Sequence, residues 1–334
     1  MKLVTHLQEG KEKASILHNG NLYNTQDIDS SLPATMIEML EDWETNIAKA
    51  RKAMDADLSN IKTIAFIDAH ILAPVPKPTS CRDGYAFRQH VASARRNRGV
   101  EMIPEFDEYP IFYFTNHNAV EGPGEIECMP DHFEKLDFEL EIAIVVGKKG
   151  RNIKAAEADD YIAGYCIMND ISARALQMEE MKLNLGPAKG KDFSTVIGPW
   201  LITPDELEPY KIPAKPKHTG NNYNLKMTCK VNGIQVSEGN VGDMDWTFAE
   251  ILERCAYGTD ILPGDVIGSG TVGTGCFLEL NGTAKLNNPD AVPQWLEDKD
   301  EVVLEIEQLG VLKNTIKAVD TDWSLFKLKD CYTK

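Results

Sequence analysis

Glu139 and Glu141 lie two residues apart in the stretch Asp-Phe-Glu-Leu-Glu-Ile-Ala-Ile-Val-Val-Gly, residues 137–147. Phe138, Leu140 and Ile142 fall on one parity and Glu139, Glu141 and Ala143 on the other. That is the period of a strand, whose neighbours point to opposite faces. The two carboxylates therefore share a face, about 6.6 Å apart along the strand. Like charges at that spacing repel unless a cation lies between them. A hard divalent ion (Mg²⁺, Mn²⁺ or Ca²⁺) takes carboxylate oxygens and meets that need. A lone Glu-x-Glu reads first as the solvated face of an exposed strand. Here Ile144, Val145 and Val146 carry the run on without a polar residue, as in a buried strand, and that favours a site.

A second acid follows at Asp170. Residues 165–168 read as a short apolar strand ending at Asn169-Asp170, with a helix expected to start there. Arg174 and Gln177 are three apart and so neighbours on one helical face. An acid at a strand end, followed by a cation and an amide, suits a third metal ligand with two substrate contacts. Taken alone, it better suits an N-cap aspartate on an ordinary surface helix. Upstream, Cys81-Arg-Asp-Gly-Tyr-Ala-Phe-Arg-Gln-His90 offers Asp83, Tyr85 and His90. Arg95, Arg96 and Arg98 follow, a cluster that reads as a solvated face. Lys191 sits in a Gly-Lys-Asp-Phe loop that can turn an ammonium inward.

The elements that must position these groups are mixed. Residues 1 to about 30 read as short strands with turns such as Asn19-Gly20. A helix follows Ser30-Ser31-Leu32-Pro33 and runs to about Asp57, and residues 61–72 read as a strand region. Pro74, Pro76 and Pro78 form a stiff entry to the larger, C-terminal part of the chain. A small N-terminal α+β domain is therefore expected over residues 1–70 and a larger domain over 71–334. Residues 104–130 read as loops around a short strand at 111–114, and the rest as mainly β apart from a helix at about 247–256. Gly268-Ser-Gly270-Thr-Val-Gly273 fits the dinucleotide pattern G-x-G-x-x-G, which requires a helix to follow. Cys276-Phe-Leu-Glu-Leu280 reads as a strand instead, so a backbone-rich loop near a substrate is expected there.

The 334 residues are 43% hydrophobic and carry a net charge of -17, the composition of an ordinary globular chain. Such an acidic balance argues against nucleic acid or an anionic membrane surface as partner. The start turns polar too early for a secretory signal, and no apolar run approaches the ~20 residues of a membrane span. Seven scattered cysteines without a Cys-x-x-Cys pair read as reduced thiols, so a cytoplasmic location is expected.

Taken together these stretches resemble the fumarylacetoacetate hydrolase superfamily, from about residue 70 to 320, with several motifs in order. Asp-Phe-Glu-Leu-Glu is similar to the family's paired metal-binding glutamates, which implies Glu139 and Glu141 as ligands. Met-Asn-Asp-Ile-Ser-Ala-Arg implies Asp170 as a third, Gly-Lys-Asp-Phe implies Lys191 as the active-site lysine, and Gly-Ser-Gly-Thr implies Thr271 in the substrate loop. Glu-Gln-Leu-Gly-Val-Leu-Lys-Asn resembles the closing strand motif. The members that cut carbon–carbon bonds have an Asp and a Tyr before a Gln-His pair. That implies Asp83 as a fourth ligand, Tyr85 as a substrate contact and His90 as the base, with Glu279 holding it. The family's animal enzyme has a tyrosine where this chain runs from Met178 to Lys182, and the 100–135 region differs. The resemblance implies an α+β, mainly β chain with a mixed β-sandwich or β-roll catalytic domain, a homodimer, and Mg²⁺ or Mn²⁺ as cofactor. It implies metal-dependent hydrolysis of an acylpyruvate or related 1,3-diketo acid, with Arg174, Gln177 and Lys191 stabilising negative charge. An isomerase, decarboxylase or hydratase on the same scaffold is the rival reading, and a non-catalytic binding protein a more distant one.

Overall fold

A computed structural model describes residues 1–332. Its main sheet has twelve strands. The order is Ile64–Ala65, Asn21–Asn24, Lys11–His18, Lys2–Gln8, Thr195–Ile202, Ile162–Asp170, Leu140–Val146, Val266–Gly268, Cys81–Gly84 and Phe112–Thr115. His70–Ile71 and Val120–Glu121 pair off this path. A five-stranded sheet runs Ile234–Asn240, Lys226–Val231, Glu301–Ile306, Gly310–Ala318 and Gly124–Cys128. The α+β, mainly β class expected from the sequence is what the chain adopts.

Leu140–Val146 is central, and the alternation of its sequence explains why. Leu140, Ile142, Ile144 and Val146 join a core with Met227, Leu304 and Leu312 of the five-stranded sheet. Ala143 and Val145, on the other parity, join a second core with Leu3, Ile16, Met36 and Leu40. A strand buried on both faces needs apolar residues at every position. Glu139 and Glu141 extend the second parity beyond that core, so the same alternation that buries Val145 aims two carboxylates to its side.

The first 70 residues contribute strands to the main sheet: Lys2 and Leu3 pair with Ile202 and Leu201. Two helices, Met36–Glu41 and Trp43–Met54, cover it. Residues 61–72 form two-residue strands around a 3-10 turn at Phe66–Asp68 rather than one strand. The helix at Phe248–Ala256 is closed at its start by a Thr247–Glu250 capping box.

Two expectations need correction. The strand Ile162–Asp170 ends at Asp170 as expected, but the helix begins only at Arg174. Asp170 is thus a strand-end residue pairing with Thr195, not a helix cap. Cys276–Leu280 is not a strand: Phe277–Asn287 is a helix, and Glu279 lies in its first turn. That helix follows the glycine pattern as a dinucleotide site would require. Its first N–H groups, however, are taken by Asp137, with Phe277 N–H donating to Oδ1 at 2.7 Å and Leu278 N–H to Oδ2 at 3.0 Å. The strand-like apolar run of Phe277, Leu278 and Leu280 loses to caps and packing supplied from far along the chain.

Candidate active site

Four carboxylates meet where three strands end. Asp83 is on Cys81–Gly84, Glu141 on Leu140–Val146 with Glu139 just before it, and Asp170 closes Ile162–Asp170. One oxygen from each lies within 4.8 Å of the others, and all four residues are buried. Register brings them together, since Gly268 stands opposite both Asp83 and Ala143. A Cβ on Gly268 would lie 2.6 Å from Asp83 Oδ1 and 2.9 Å from Glu141 Oε2, so glycine leaves the space the carboxylates occupy. Gly270 N–H donates to Asp83 Oδ1 at 3.0 Å and to Glu141 Oε2 at 3.2 Å. Thr271 Oγ1 donates to Glu141 Oε1 at 3.5 Å.

Two buried cations border the cluster. Lys191 Nζ donates to Glu139 and, at 2.8 Å, to Asp170 Oδ2. Arg174 NH2 donates to Glu139 Oε1 at 2.7 Å, its Nε to Asp137 Oδ2 at 2.9 Å, and its NH1 to Gln177 Oε1 at 3.1 Å. Burial pushes Glu139 upward, but Lys191 and Arg174 together outweigh it and hold the carboxyl at about 2. Asp83 has no such partner at hydrogen-bond distance among the described residues; burial and then the charge of Asp170 push it up to about 7. Burial and the charges of Asp83 and Glu139 carry Glu141 well above the carboxylate range. Burial also weighs against charge on Lys191, but Asp170 and Glu139 overcome it and keep the side chain an ammonium.

The cluster fits a divalent cation. Four carboxylates face two cations, an excess of negative charge in a buried place. Asp170 Oδ1 is buried with no hydrogen-bond partner among the described residues, a cost that a coordinated ion removes. Oxygen-only donors select a hard ion of the Mg²⁺, Mn²⁺ or Ca²⁺ kind. Asp83, Glu139, Glu141 and Asp170 are the residues that would hold it.

His90 lies on the helix Arg88–Asn97. Its Nδ1 is 2.6 Å from Glu279 Oε2 and both side chains are buried. Against a carboxylate, which only accepts, Nδ1 must carry the proton, leaving Nε2 as the basic nitrogen. Glu279 is itself held by Thr274 N–H at 3.0 Å. The pair is within electrostatic reach of the cluster, since a positive charge on the His90 ring lowers Glu139. The Tyr85 ring stands edge-on to the His90 ring at 6.0 Å.

The structure thus gathers Asp83, Glu139, Glu141, Asp170, Lys191, Arg174, Gln177 and Thr271 into one connected group, with His90, Glu279 and Tyr85 beside it. Three further residues escaped the sequence reading. Tyr113, on the strand Phe112–Thr115, donates its hydroxyl to Asp170 Oδ2. Asn169 Oδ1 accepts from Glu139 N–H at 3.0 Å. Asp137 opens the Asp-Phe-Glu-Leu-Glu stretch and binds Arg174. A polar residue two before a ligand was the available signal for Asp137, while Tyr113 gave none.

The sequence matches the C-terminal domain description of fumarylacetoacetate (FAA) hydrolase over residues 79–317, a span that holds every candidate residue. It is 31% identical over 316 residues to mitochondrial oxaloacetate tautomerase Fahd2a of Rattus norvegicus, covering 93% of this chain and 88% of the relative. Mitochondrial oxaloacetate tautomerase FAHD2A of Homo sapiens is 31% identical over 302 residues, with 90% and 85% covered. The fold is similar to that of fumarylacetoacetate hydrolase from psychrophilic Exiguobacterium antarcticum, with TM-score 0.69, 24% identity, and 96% of this chain and 100% of that one covered. With the acidic cluster, the lysine loop and the Gly-Ser-Gly-Thr loop all inside the matched span, the chain belongs to the fumarylacetoacetate hydrolase family.

Proposed function

We propose that this enzyme of the fumarylacetoacetate hydrolase superfamily interconverts the keto and enol forms of a 2-oxo dicarboxylate of the oxaloacetate class. The buried His90–Glu279 pair beside the carboxylate cluster carries the reading. Enolisation needs a base at carbon and a place for the enolate's charge, and the site offers both. The two tautomerases that resemble the chain along 90% or more of its length direct the choice of substrate.

A divalent ion held by the four carboxylates, Mg²⁺ or Mn²⁺ by donor type, would supply Lewis-acid stabilisation of the enolate. His90 Nε2 takes the proton from C3, the C–H electron pair becomes the C2–C3 π bond as the C2=O π pair moves onto the oxygen, and the same nitrogen returns the proton to that oxygen. Glu279 holds the ring through Nδ1 and offsets the charge of the imidazolium. Lys191, locked as an ammonium by Glu139 and Asp170, opposes the build-up of negative charge and does not serve as the acid. Tyr85, Gln177 and Thr271 border the substrate space. Arg174 acts through Glu139 and Gln177, because its donors are already engaged with them and with Asp137.

Hydrolysis of a 1,3-diketo acid is the second reading, supported by the same pair, because a base that can reach C3 can also activate water. Two assays separate them. Enol absorbance should relax faster with enzyme and Mn²⁺ than with Mn²⁺ alone, and mass spectrometry of an acylpyruvate panel should show no fragments. Fragment formation without faster relaxation would replace tautomerisation by hydrolysis. His90→Ala should cut kcat by roughly 10²–10⁴-fold and leave Mn²⁺ binding intact, since His90 is not a ligand. A near-normal kcat in a folded, metal-loaded variant would remove the base from either reaction.

A further inference from the structure

Asp137 is neither one of the four clustered carboxylates nor part of the His90–Glu279 pair, yet it is joined to both. Its side chain is fully buried. On one side Oδ2 accepts from Arg174 Nε at 2.9 Å, and Arg174 NH2 passes the link on to Glu139 at 2.7 Å. On the other side Oδ1 and Oδ2 accept from Phe277 and Leu278 N–H, which open the helix that carries Glu279 in its first turn. Cys276, the residue before that helix, offers no side-chain cap. Asp137 supplies the acceptors that first-turn N–H groups need, and its charge complements the positive end of the helix. Its own place is fixed by pairing of Leu136–Asp137 with Ser172–Ala173, which sets Asp137 opposite Ser172 and next to the start of Arg174–Met181.

We propose that Asp137 is a positioning residue that keeps the carboxylate cluster and the His90–Glu279 pair in fixed relation, through Arg174 on one side and the helix start on the other. The chemistry requires an anion there. A carboxylate accepts from all its donors at once. An amide of the same shape has one accepting oxygen, and its NH₂ must face either the guanidinium or the helix N–H groups. Asp137→Asn therefore breaks one link while nearly conserving volume. The inference rests on the cluster and the pair forming one site, but not on whether the proton comes from C3 or from water.

The test reads both ends without substrate, so a wrong substrate class leaves it untouched. Mn²⁺ affinity is measured by calorimetry on metal-free Asp137→Asn, and the low-field His90 Nδ1–H signal by NMR in the same protein. The expected result is a roughly 10–100-fold weaker Mn²⁺ affinity, the range typical of lost outer-shell partners, together with a shifted or broadened His90 signal. Turnover, measured on the same variant, should show the loss in kcat more than in KM. A folded variant in which neither readout moves, or only one does, overturns the proposal, because Asp137 would then serve at most one group. Should Asp137→Asn fail to fold, Arg174→Lys takes its place, since Arg174 makes no hydrogen bond to either member of the pair. A His90 signal displaced by Arg174→Lys supports the link, and an unmoved one overturns it.

Discussion

Among the described residues, Asp83 and Glu141 have no cation at hydrogen-bond distance, whereas Glu139 has two. Without metal, Asp83 titrates at about 7 and Glu141 well above the ordinary range, for burial first and neighbouring charge second. Metal must displace these protons, because only ionised carboxylates coordinate. Lowering pH through 7 protonates Asp83, so affinity falls on the acid side and rises on the alkaline side. Mn²⁺ binding at pH 7 should release on the order of one to two protons. Calorimetry in buffers of different ionisation enthalpy measures that number, and a buffer-independent heat with equal affinity at pH 6 and 8 would contradict it. Gly268 gives a second prediction for the same group. An added methyl would press on Asp83 Oδ1 at 2.6 Å, Met168 Sδ at 2.7 Å and Glu141 Oε2 at 2.9 Å. Gly268→Ala should therefore lower Mn²⁺ affinity by at least tenfold, a loss of ~1.4 kcal/mol. Wild-type affinity in that variant would mean that the carboxylates have more room than this packing allows.

The His90 and Glu279 helices, Arg88–Asn97 and Phe277–Asn287, lie side by side. Asn97 Nδ2 donates to Glu279 O at 2.9 Å, and Gly282 lets Asn97 come close: a Cβ there would sit 2.4 Å from Nδ2 and 2.8 Å from Asn97 Cβ. Gly282→Ala must push the helices apart although alanine is the better helix former by about 1 kcal/mol. The expected outcome is lower kcat with unchanged Mn²⁺ affinity, and an unchanged or higher kcat would show that the His90–Glu279 distance is set elsewhere. This pair of helices also marks where the sequence stops being readable. Glu139 and Glu141 were legible because one alternation serves both burial and the site. The helix at 277 was not, because Asn281 and Gly282 are poor helix formers and its cap comes from Asp137, 140 positions away. The strand end at Asp170 was legible, but the gap before the helix was not, since the Ser172–Ala173 strand that fills it pairs with Leu136–Asp137 from far along the chain. Tyr113 reaches Asp170 from an edge strand, a contact that no local pattern encodes.

At the scale of the whole molecule, the proline run at 74–78 is a break in the chain, while the core crosses it. Leu3, Ile16, Leu32, Met36, Met39, Leu40 and Ile47 pack in one cluster with Ala143, Val145, Cys166, Met168, Ile197 and Leu201. Ala143 and Val145 continue the strand face that carries Glu139 and Glu141, and Met168 stands opposite Glu141. Removing residues 1–70 would expose that face and strip the paired strand Lys2–Gln8 from Thr195–Ile202. Each large aliphatic side chain left uncovered costs about 1.5–3 kcal/mol. Four such residues on the remaining face already match the ~5–15 kcal/mol that holds a typical protein together. The excised 71–334 segment should therefore show no Mn²⁺ binding, and the full chain should unfold in one calorimetric transition. Mn²⁺ at 100 times its dissociation constant should raise the stability behind that transition by about 2.7 kcal/mol. Two separated transitions with only the second moved by Mn²⁺, or a soluble 71–334 segment with full Mn²⁺ affinity, would show that the first 70 residues fold apart from the site. In that case the carboxylates would depend for their placement on the main-sheet strands within 71–334 that carry and flank them, Cys81–Gly84, Leu140–Val146, Ile162–Asp170, Thr195–Ile202 and Val266–Gly268.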